Sequence, residues 1–318
     1  MDCNLNEHTN AFIVEGQRLA ITSNSNESAT SVKVGTDCSG IGIPLIALKN
    51  MGIQVEHEFD CDSCEKVQLT IQANLKPKIL FPDIQGRDVN EVPYVDVYIA
   101  GFPCQPFSTM GKQEGFNDSQ GRGTIFHDVL KYIEAKLPKV FILGNVKGLV
   151  KINSGKDLRY MLKLLRQVKR NGSQAYVIKH QIMDTKEHGI PQSRPRWYCV
   201  GIRKDASEAD SFEFPGKLNC PVIEELLEDD VDSSDIHDRS NRSHTMSMNI
   251  RMAKQRIKES GGNLDQPYVV DCDASRQKSH YMKNISPCLT RSRNKGHWLI
   301  HKNRRMSIKE MMRLQGID

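Results

Sequence analysis

The fold is decided by a stretch that begins Ser31-Val32-Lys33-Val34-Gly35-Thr36-Asp37-Cys38-Ser39-Gly40-Ile41-Gly42. An apolar strand enters a glycine-containing turn, residues 43–50 continue as a helix, and residues 55–60 return as a second strand. This order predicts a parallel sheet with helices packed on it, an α/β fold. The glycines allow the backbone of the turn to approach a ligand closely.

The same alternation continues along the chain and then stops. Further strands are predicted at residues 95–100, 140–143, 174–182 and 197–202, and helices at 124–135 and 158–168. Residues 1–30 are polar and predict a disordered leader. From Phe214-Pro215 to Ile285 the pattern is irregular and polar, which favours a small second domain or an elaborated loop region.

Composition limits the class of protein. The chain has 318 residues, of which 38% are hydrophobic and 26% charged, as in a globular protein of one or two domains. No apolar run approaches the roughly 20 residues that span a bilayer, so no membrane association is predicted. Nine irregularly spaced cysteines favour a reducing compartment. Cys61 and Cys64 have no matching pair elsewhere, so no metal site is predicted.

Charge is distributed unevenly within the net value of +5. Residues 224–238 are acidic, whereas residues 276–309 contain ten Lys or Arg and no Asp or Glu. A one-sided basic segment is the expected footprint of a phosphate-binding surface. The alternative is that the charges form an ordinary solvated face.

Cys104 lies in Gly101-Phe102-Pro103-Cys104-Gln105-Pro106-Phe107-Ser108, directly after the predicted strand 95–100. A strand followed by this turn places a thiol at the carboxyl end of a sheet, where open α/β folds bind their ligands. The alternative is a small buried cysteine in a loop.

Acidic and aromatic side chains follow the first strands. Asp37 is positioned to meet a cationic or amine group, and Glu58 ends the second strand where a ribose-binding acid usually lies. Phe59 is expected to stack on a purine, and Asp83-Ile84 to bind its exocyclic amine. For Glu58 and Asp83 the alternative is an ordinary exposed carboxylate.

Two arginines stand close together in Gln192-Ser193-Arg194-Pro195-Arg196. Residues two apart on an extended chain project to the same side. Their guanidinium groups can therefore bind an acceptor oxygen and a phosphate together, unless they are only a surface pair.

Taken together, these segments resemble the cytosine-5 DNA methyltransferases, in the order of that family. The segments that carry the resemblance are residues 37–42, 101–108, 189–196, 286–290 and 304–316. The resemblance extends from about Lys33 to the last residue.

The resemblance implies an S-adenosylmethionine-dependent methyltransferase (Rossmann-like) fold with a mostly parallel sheet and a small irregular target-recognition domain. Residues 31–204 would form the catalytic domain, 205–285 the target-recognition region and 286–318 a return to the catalytic domain. The implied cofactor is S-adenosyl-L-methionine, bound by Asp37, Cys38, Ser39, Gly40, Ile41, Gly42, Glu58, Phe59, Asp83, Ile84 and Pro103.

The implied reaction is covalent. Cys104 would attack carbon 6 of a cytosine that has been flipped out of the duplex, and carbon 5 would then take the methyl group. Arg196 would hold the carbonyl oxygen of the base and Arg194 would fix the nucleophile loop, with Asn145 completing the catalytic set. The implied partner is double-stranded DNA, bound by a monomer inside the cell through Gln105, Ser108, Gln192, Thr290, Arg291 and Arg293.

The chain departs from the family in two places. The family has Glu-Asn-Val where this chain has Gly144-Asn145-Val146, and that glutamate contacts nitrogen 3 of the target. Since general acid help contributes about 10²–10⁴-fold, a large loss of rate is expected, with base binding retained. The family's final segment also has no counterpart before Asp318, which predicts either a fragment or a cofactor site that is open on one side.

Three functions therefore remain open. The first is a DNA cytosine-5 methyltransferase with impaired activity, and the second is a DNA-binding relic without catalysis. The third is the tRNA-methylating branch, which the missing Cys-Phe-Thr signature disfavours.

Overall fold

The central element of the fold is a twisted α/β sheet. The computed structural model describes residues 31–103, 124–206, 209–232, 236 and 243–317. Within them, seven strands form one sheet in the order β3-β2-β1-β4-β5-β9-β8. Its strands are β1 Val32–Asp37, β2 Val55–Cys61, β3 Ile79–Phe81, β4 Val97–Ala100, β5 Val140–Val146, β8 Tyr176–Asp184 and β9 Pro195–Arg203. Strand β9 runs antiparallel to β5 and β8, and the other pairs are parallel.

Helices cover the sheet, and a short hairpin extends its far end. The helices of this part are α1 Ile43–Asn50, α2 Glu65–Asn74, α3 Ile125–Lys136 and α4 Lys156–Gln167. The hairpin consists of β6 Lys169–Arg170 and β7 Ser173–Gln174. The predicted mostly parallel α/β sheet is confirmed, and α2 and β3 are additions that the sequence pattern did not predict.

The core lies between α3, α4 and one face of the sheet. Phe126, Val129 and Ile133 of α3 are completely buried, at the spacing by which a helix presents one face. They belong to one apolar cluster with Tyr98 and Phe141 of the sheet.

An irregularity in β2 sets which of its side chains face the core. Val34 pairs with His57 but Gly35 pairs with Phe59, so Glu58 is an extra residue in the ladder. Phe59 then lies directly against Gly35, where an added Cβ would be 2.1 Å from its ring. Gly35 is therefore required by the ring of Phe59.

The region predicted to be irregular contains regular structure. Helix α5, His244–Glu259, begins at Ser243, whose hydroxyl accepts a hydrogen bond from the Met246 amide at 3.2 Å. It packs on a second sheet of four strands in the order β11-β10-β12-β13. These strands are β10 Tyr268–Val270, β11 Tyr281–Lys283, β12 Trp298–Leu299 and β13 Arg304–Arg305, and helix α6, Ile308–Arg313, follows them. The irregular, polar pattern of the sequence concealed this helix, in which buried residues recur at helical spacing.

Much of the basic segment is neutralised within the protein. Arg305 forms two hydrogen bonds of 2.8 Å to Asp273, and Arg304 forms bonds of 2.8 and 2.7 Å to Glu310. Lys302 pairs with Glu224 of the acidic segment at 2.9 Å. These three cations are paired within the protein, so the basic run is not one continuous phosphate-binding face.

Two further properties concern the described part of the chain. None of its helices has the length and apolar character that crossing a membrane requires. Within the same residues, no three His, Cys, Asp or Glu side chains are arranged as metal ligands.

Gly35→Ala is expected to lower the free energy of unfolding by about 1–3 kcal/mol, because its Cβ would overlap a fully buried ring. The matched control is Gly144→Ala in the same sheet, where the nearest atom to an added Cβ is Tyr198 Cε1 at 3.9 Å. That change should stay within about 0.5 kcal/mol. Urea unfolding followed by circular dichroism measures both, and equal losses would contradict the packing described.

Candidate active site

The turn that follows β1 has a left-handed backbone at three positions. Cys38, Gly40 and Gly42 have φ angles of 53°, 64° and 78°. An added Cβ on Gly42 would lie 2.0 Å from Leu75 Cδ1, whereas nothing lies within 4 Å of one on Gly40. Gly42 is thus needed for helix packing, and the turn is open at Gly40.

A buried ion pair anchors this turn. Asp37 is fully buried, and its two carboxylate oxygens accept hydrogen bonds of 2.8 Å each from Arg87 Nη1 and Nη2. The Tyr98 hydroxyl donates a third bond of 2.6 Å to the same carboxylate. Burial, together with the charge of Asp37, raises the pKa of Tyr98 well above its ordinary value, so it stays a donor. The cation that Asp37 meets is therefore the chain's own Arg87.

Arg87 also binds the aromatic floor of the turn. Its guanidinium carbon lies 5.4 Å from the ring centre of Phe59 and 4.8 Å from that of Phe81. A cation at this distance from an aromatic face is attracted by the ring quadrupole. Phe59 is completely buried and also packs on Tyr98 and Tyr132. The expected stacking of Phe59 on a purine is not supported by this position, because the core occupies the ring.

The remaining predicted cofactor residues do not all lie at this edge. Glu58 lies in the middle of β2, which ends at Cys61, and not at the strand end as predicted. It is buried and accepts a hydrogen bond of 2.7 Å from Lys78. Asp83 is exposed, and its carboxylate accepts a bond of 2.9 Å from the Gln85 amide. Ile84 is buried and Pro103 is half-buried.

The end of β4 is held against the turn by backbone contacts. The Gly101 amide donates to the Asp37 carbonyl at 3.0 Å, and an added Cβ on Gly101 would lie 2.9 Å from the Cys38 carbonyl oxygen. Asn145 of β5 is buried and donates from Nδ2 to the Phe102 carbonyl at 3.3 Å. The chain between Gly101 and Pro103 is therefore fixed on both sides just before Cys104.

Three predicted site residues lie outside the described part of the chain: Cys104, Gln105 and Ser108.

Arg196 and Gly144 lie on one face of the β5–β9 pair. Val146 is the partner of Arg196 in the antiparallel ladder and Gly144 is the partner of Tyr198. Cross-strand partners, and residues two apart on one strand, project to the same face. Tyr198 Cε1 is 3.9 Å from a Cβ added to Gly144 and is the one atom within 4 Å of it among the described residues.

Residues 288 and 289 contact the side chains of both Arg194 and Arg196 and form the surface on which these arginines lie. Arg194 Nη1 donates to the Leu289 carbonyl at 2.7 Å and lies 3.4 Å from Cys288 Sγ. Arg196 Nη2 lies 3.8 Å from the same sulfur, while its Nη1 donates to the Pro195 carbonyl at 3.0 Å. The side chain of Cys288 therefore touches both guanidinium groups.

Gln192 joins this surface to the arginine segment. It is fully buried; its amide nitrogen donates to the Leu314 carbonyl at 2.7 Å and its oxygen accepts from the Leu289 amide at 3.1 Å. The Ser193 amide donates to the Ser286 carbonyl at 2.9 Å beside it. A DNA contact by Gln192 is not supported by this position, because both ends of its side chain are used internally.

The other predicted DNA-binding residues differ among themselves. Thr290 and Arg291 are exposed. Arg293 is largely buried, and its Nε donates to Asp271 at 2.5 Å. Its guanidinium is thus engaged by Asp271, which directly follows β10, and this disfavours the predicted DNA contact.

Sequence reasoning missed four residues of this site: Arg87, Tyr98, Tyr198 and Cys288. Arg87 follows Asp83-Ile84 by three positions, and nothing in its local pattern indicates that it reaches Asp37, fifty positions earlier. Tyr198 had a usable signal, since it lies two positions after Arg196 in a predicted strand and therefore on the same face.

Comparisons with known proteins agree with this geometry. The family model described as C-5 cytosine-specific DNA methylase matches residues 37–318. A Type II methyltransferase of Neisseria gonorrhoeae, M.NgoBI, is 36% identical over 195 residues, which are 61% of this chain and 57% of that protein. A second, M.HpaII of Haemophilus parainfluenzae, is 37% identical over 183 residues, 57% of this chain and 48% of that protein.

A solved structure shares the fold. The crystal structure of a DNMT2 triple mutant of Spodoptera frugiperda superposes with a TM-score of 0.52 at 21% identity, over 70% of this chain and 65% of that chain. This likeness shows the methyltransferase type of α/β fold alone.

The sheet order and the match together define the class of protein as an α/β methyltransferase. The chain belongs to the family of C-5 cytosine-specific DNA methylases. It spans about half the length of the two curated relatives named above.

Arg87→Met is expected to destabilise the protein by about 3–5 kcal/mol, because it leaves the buried carboxylate of Asp37 without its cation. The matched variant is Arg87→Met combined with Asp37→Asn, which removes the orphaned charge and should recover part of that loss. Urea unfolding measures both. A single variant as stable as the unchanged protein would show that the pair does not anchor the turn.

Cys288→Ala is expected to increase the rotation rate of the Arg196 guanidinium about twofold to fivefold. The reason is that the variant removes one weak hydrogen bond, the one to the Cys288 sulfur. Cys288→Ser keeps an acceptor and should restore slow rotation. Arg194 also loses its contact with Cys288 but keeps the bond of 2.7 Å to the Leu289 carbonyl, so its rotation should change less than that of Arg196. NMR line shapes of ¹⁵N-labelled arginine side chains measure the rates, and an unchanged Arg196 would exclude the contact.

Proposed function

We propose that the protein transfers a methyl group from S-adenosyl-L-methionine to carbon 5 of a cytosine flipped out of double-stranded DNA. The observation that carries this proposal is the bond between the Gly101 amide and the Asp37 carbonyl. It holds the open turn after β1 against the strand that leads into Cys104. A cofactor on the turn and a base over Cys104 would therefore meet at one edge of the sheet, as ligands of open α/β folds do.

The residues of the turn fit the proposed cofactor. Gly40 leaves open space beside a left-handed backbone, where a ligand can approach the main chain. Asp83 follows the end of β3 with an exposed carboxylate that suits an exocyclic amine, whereas the carboxylate of Glu58, in β2, is bound by Lys78. When bound, the cofactor supplies an electrophilic methyl group. Asp37 fixes the conformation of the turn and does not contact the cofactor, because its carboxylate is hydrogen-bonded to Arg87 and Tyr98.

The proposed chemistry assigns one task to each protein group. Cys104, as a thiolate, adds to carbon 6 of the base and makes carbon 5 nucleophilic. Arg196 donates to the carbonyl oxygen of the base, where negative charge grows during the addition. Asn145 holds the Phe102 carbonyl and so positions the chain two residues before the nucleophile. Once carbon 5 has taken the methyl group, a base removes the carbon 5 proton, the carbon 5–carbon 6 double bond forms again and the thiolate leaves.

Duplex DNA is the proposed partner, bound by a monomer in the compartment that holds the cell's DNA. Thr290 and Arg291 are the exposed predicted contacts among the described residues, beside the surface on which the arginines lie. Counterion release from phosphate contacts makes such binding weaken as salt concentration rises. The tRNA-methylating branch would bind tRNA in preference to duplex DNA.

One observation favours a second function, a DNA-binding relic. Gly144 has no side chain at the place where a general acid would stand, and its face is open. A protein of this kind would keep base binding through Arg196 while reacting slowly or not at all.

Gly144→Glu is expected to raise the rate of methyl transfer to duplex DNA by about 10²–10⁴-fold, because a carboxylic acid would reach the developing charge. The site accommodates the change, since its backbone is ordinary and the nearest side-chain atom is 3.9 Å from the new Cβ. Transfer of a radiolabelled methyl group to mixed-sequence duplex measures the rate. Cys104→Ala in both backgrounds gives the baseline.

The outcomes separate the candidates. Activity of the unchanged chain above the Cys104→Ala baseline excludes the relic. Activity that appears only with Gly144→Glu supports the relic as the natural state. Transfer to tRNA in place of DNA would favour the tRNA branch, and no transfer to either by any variant would refute the proposed function.

A further inference from the structure

We infer that the hydroxyl of Tyr198 donates a hydrogen bond to ring nitrogen 3 of the target cytosine, in place of the side chain that Gly144 lacks. This inference rests on the proposed function and adds a catalytic residue to it. It makes the unchanged chain a slow enzyme.

The chemistry of the addition requires a donor at that nitrogen. When the thiolate bonds to carbon 6, the electron pair of the carbon 5–carbon 6 double bond moves into the carbon 4–carbon 5 bond. The pair of the carbon 4–nitrogen 3 double bond then becomes a lone pair on nitrogen 3. The negative charge of the sulfur is thereby transferred to the ring, next to the carbonyl oxygen. A fixed donor there stabilises the adduct and the transition state that leads to it.

Tyr198 stands next to the residue that would hold the carbonyl oxygen. Arg196 and Tyr198 are two apart on β9 and project to the face that also carries Gly144 and Val146. In cytosine, nitrogen 3 is bonded to carbon 2, and carbon 2 carries the carbonyl oxygen. A base bound to Arg196 by its oxygen therefore presents nitrogen 3 to an adjacent group on this face.

The ring of Tyr198 borders the space above Gly144. Its Cε1 lies 3.9 Å from the position of an added Cβ, and the hydroxyl oxygen is two bonds beyond Cε1. The ring thus borders the space into which a longer side chain at position 144 would extend. A glycine at this position places no side chain between Tyr198 and that space.

The hydroxyl of Tyr198 is available as a donor. It makes no hydrogen bond to any of the residues that the structure describes, and the ring is half-buried. A phenolic hydroxyl can donate and accept, so it can serve a ring nitrogen that becomes an acceptor. It keeps its proton throughout, and the bond to nitrogen 3 only strengthens while the charge is present.

Other side chains on this face are less suitable. Ile142, Val146 and Val200 share the face on β5 and β9 but are apolar. Gln181 pairs with Tyr198 from β8, which places it on the side of β9 away from Gly144. Tyr198 is the neutral donor that remains beside Arg196 on β5 and β9.

The experiment has to distinguish the proposed donor role of Tyr198 from a purely structural role. An aromatic ring over a cross-strand glycine also stabilises a sheet by packing. Tyr198→Phe keeps the ring and removes only the oxygen, so it leaves that packing intact. Its unfolding midpoint in urea should equal that of the unchanged protein.

The test measures covalent capture of each protein by a long duplex in which 5-fluorocytosine replaces every cytosine, with S-adenosyl-L-methionine present. A long probe of mixed sequence presents cytosine in many different sequence contexts. Four proteins are compared: unchanged, Tyr198→Phe, Gly144→Glu, and the double variant. Tyr198→Phe should slow capture on the order of 10²-fold relative to the unchanged chain. In the Gly144→Glu background the same change should cost less than about threefold, because the carboxylic acid then supplies the donor.

Each result decides the matter. Capture by Gly144→Glu but not by the unchanged chain would refute a donor role for Tyr198 and leave the proposed function standing. Equal losses from Tyr198→Phe in both backgrounds would assign it a structural role and likewise refute the inference. Capture by none of the four would refute the proposed function, and the role of Tyr198 with it.

Discussion

The bidentate pair between Asp37 and Arg87 is the interaction on which the rest of the site depends. It joins the end of β1 to the loop after β3, and the Tyr98 hydroxyl ties β4 to the same carboxylate. Three strand ends are thus fixed at one edge of the sheet. A charge buried this completely is stable only with its partner, so the pair tolerates little movement. The turn that follows Asp37, residues 38–42, is therefore held rigidly at its first residue.

The second half of the site depends on a different part of the chain. The arginines lie on β9 but are held by Cys288 and Leu289, about ninety residues later. Gln192 completes the connection through Leu289 and Leu314. The segment 286–290 therefore contacts both arginines, and it binds Arg194 directly through the Leu289 carbonyl.

Several of the basic side chains in residues 276–309 stabilise the fold through ion pairs and are not free to bind a partner. Arg304, Arg305 and Lys302 are paired with carboxylates of the protein itself, and Arg293 is paired with Asp271. A count of lysine and arginine along the chain does not distinguish such cations from those that face a phosphate. The exposed Arg291 and its neighbour Thr290 remain candidates for nucleic acid.

The sequence by itself determined the α/β class, the strand ends that carry the turn and Cys104, the arginine pair and the absence of a side chain at Gly144. Those features are local, because short-range patterns of apolar residues and glycine predict strands, turns and helices. Only the tertiary structure decided that Asp37 meets Arg87, that Phe59 and Gln192 are buried and that Tyr198 borders Gly144. These depend on contacts between residues far apart in the chain, whose pairing follows from packing and strand register and leaves no local signal. Helix α5 is the intermediate case: its apolar spacing was present in the sequence, but a polar composition concealed it.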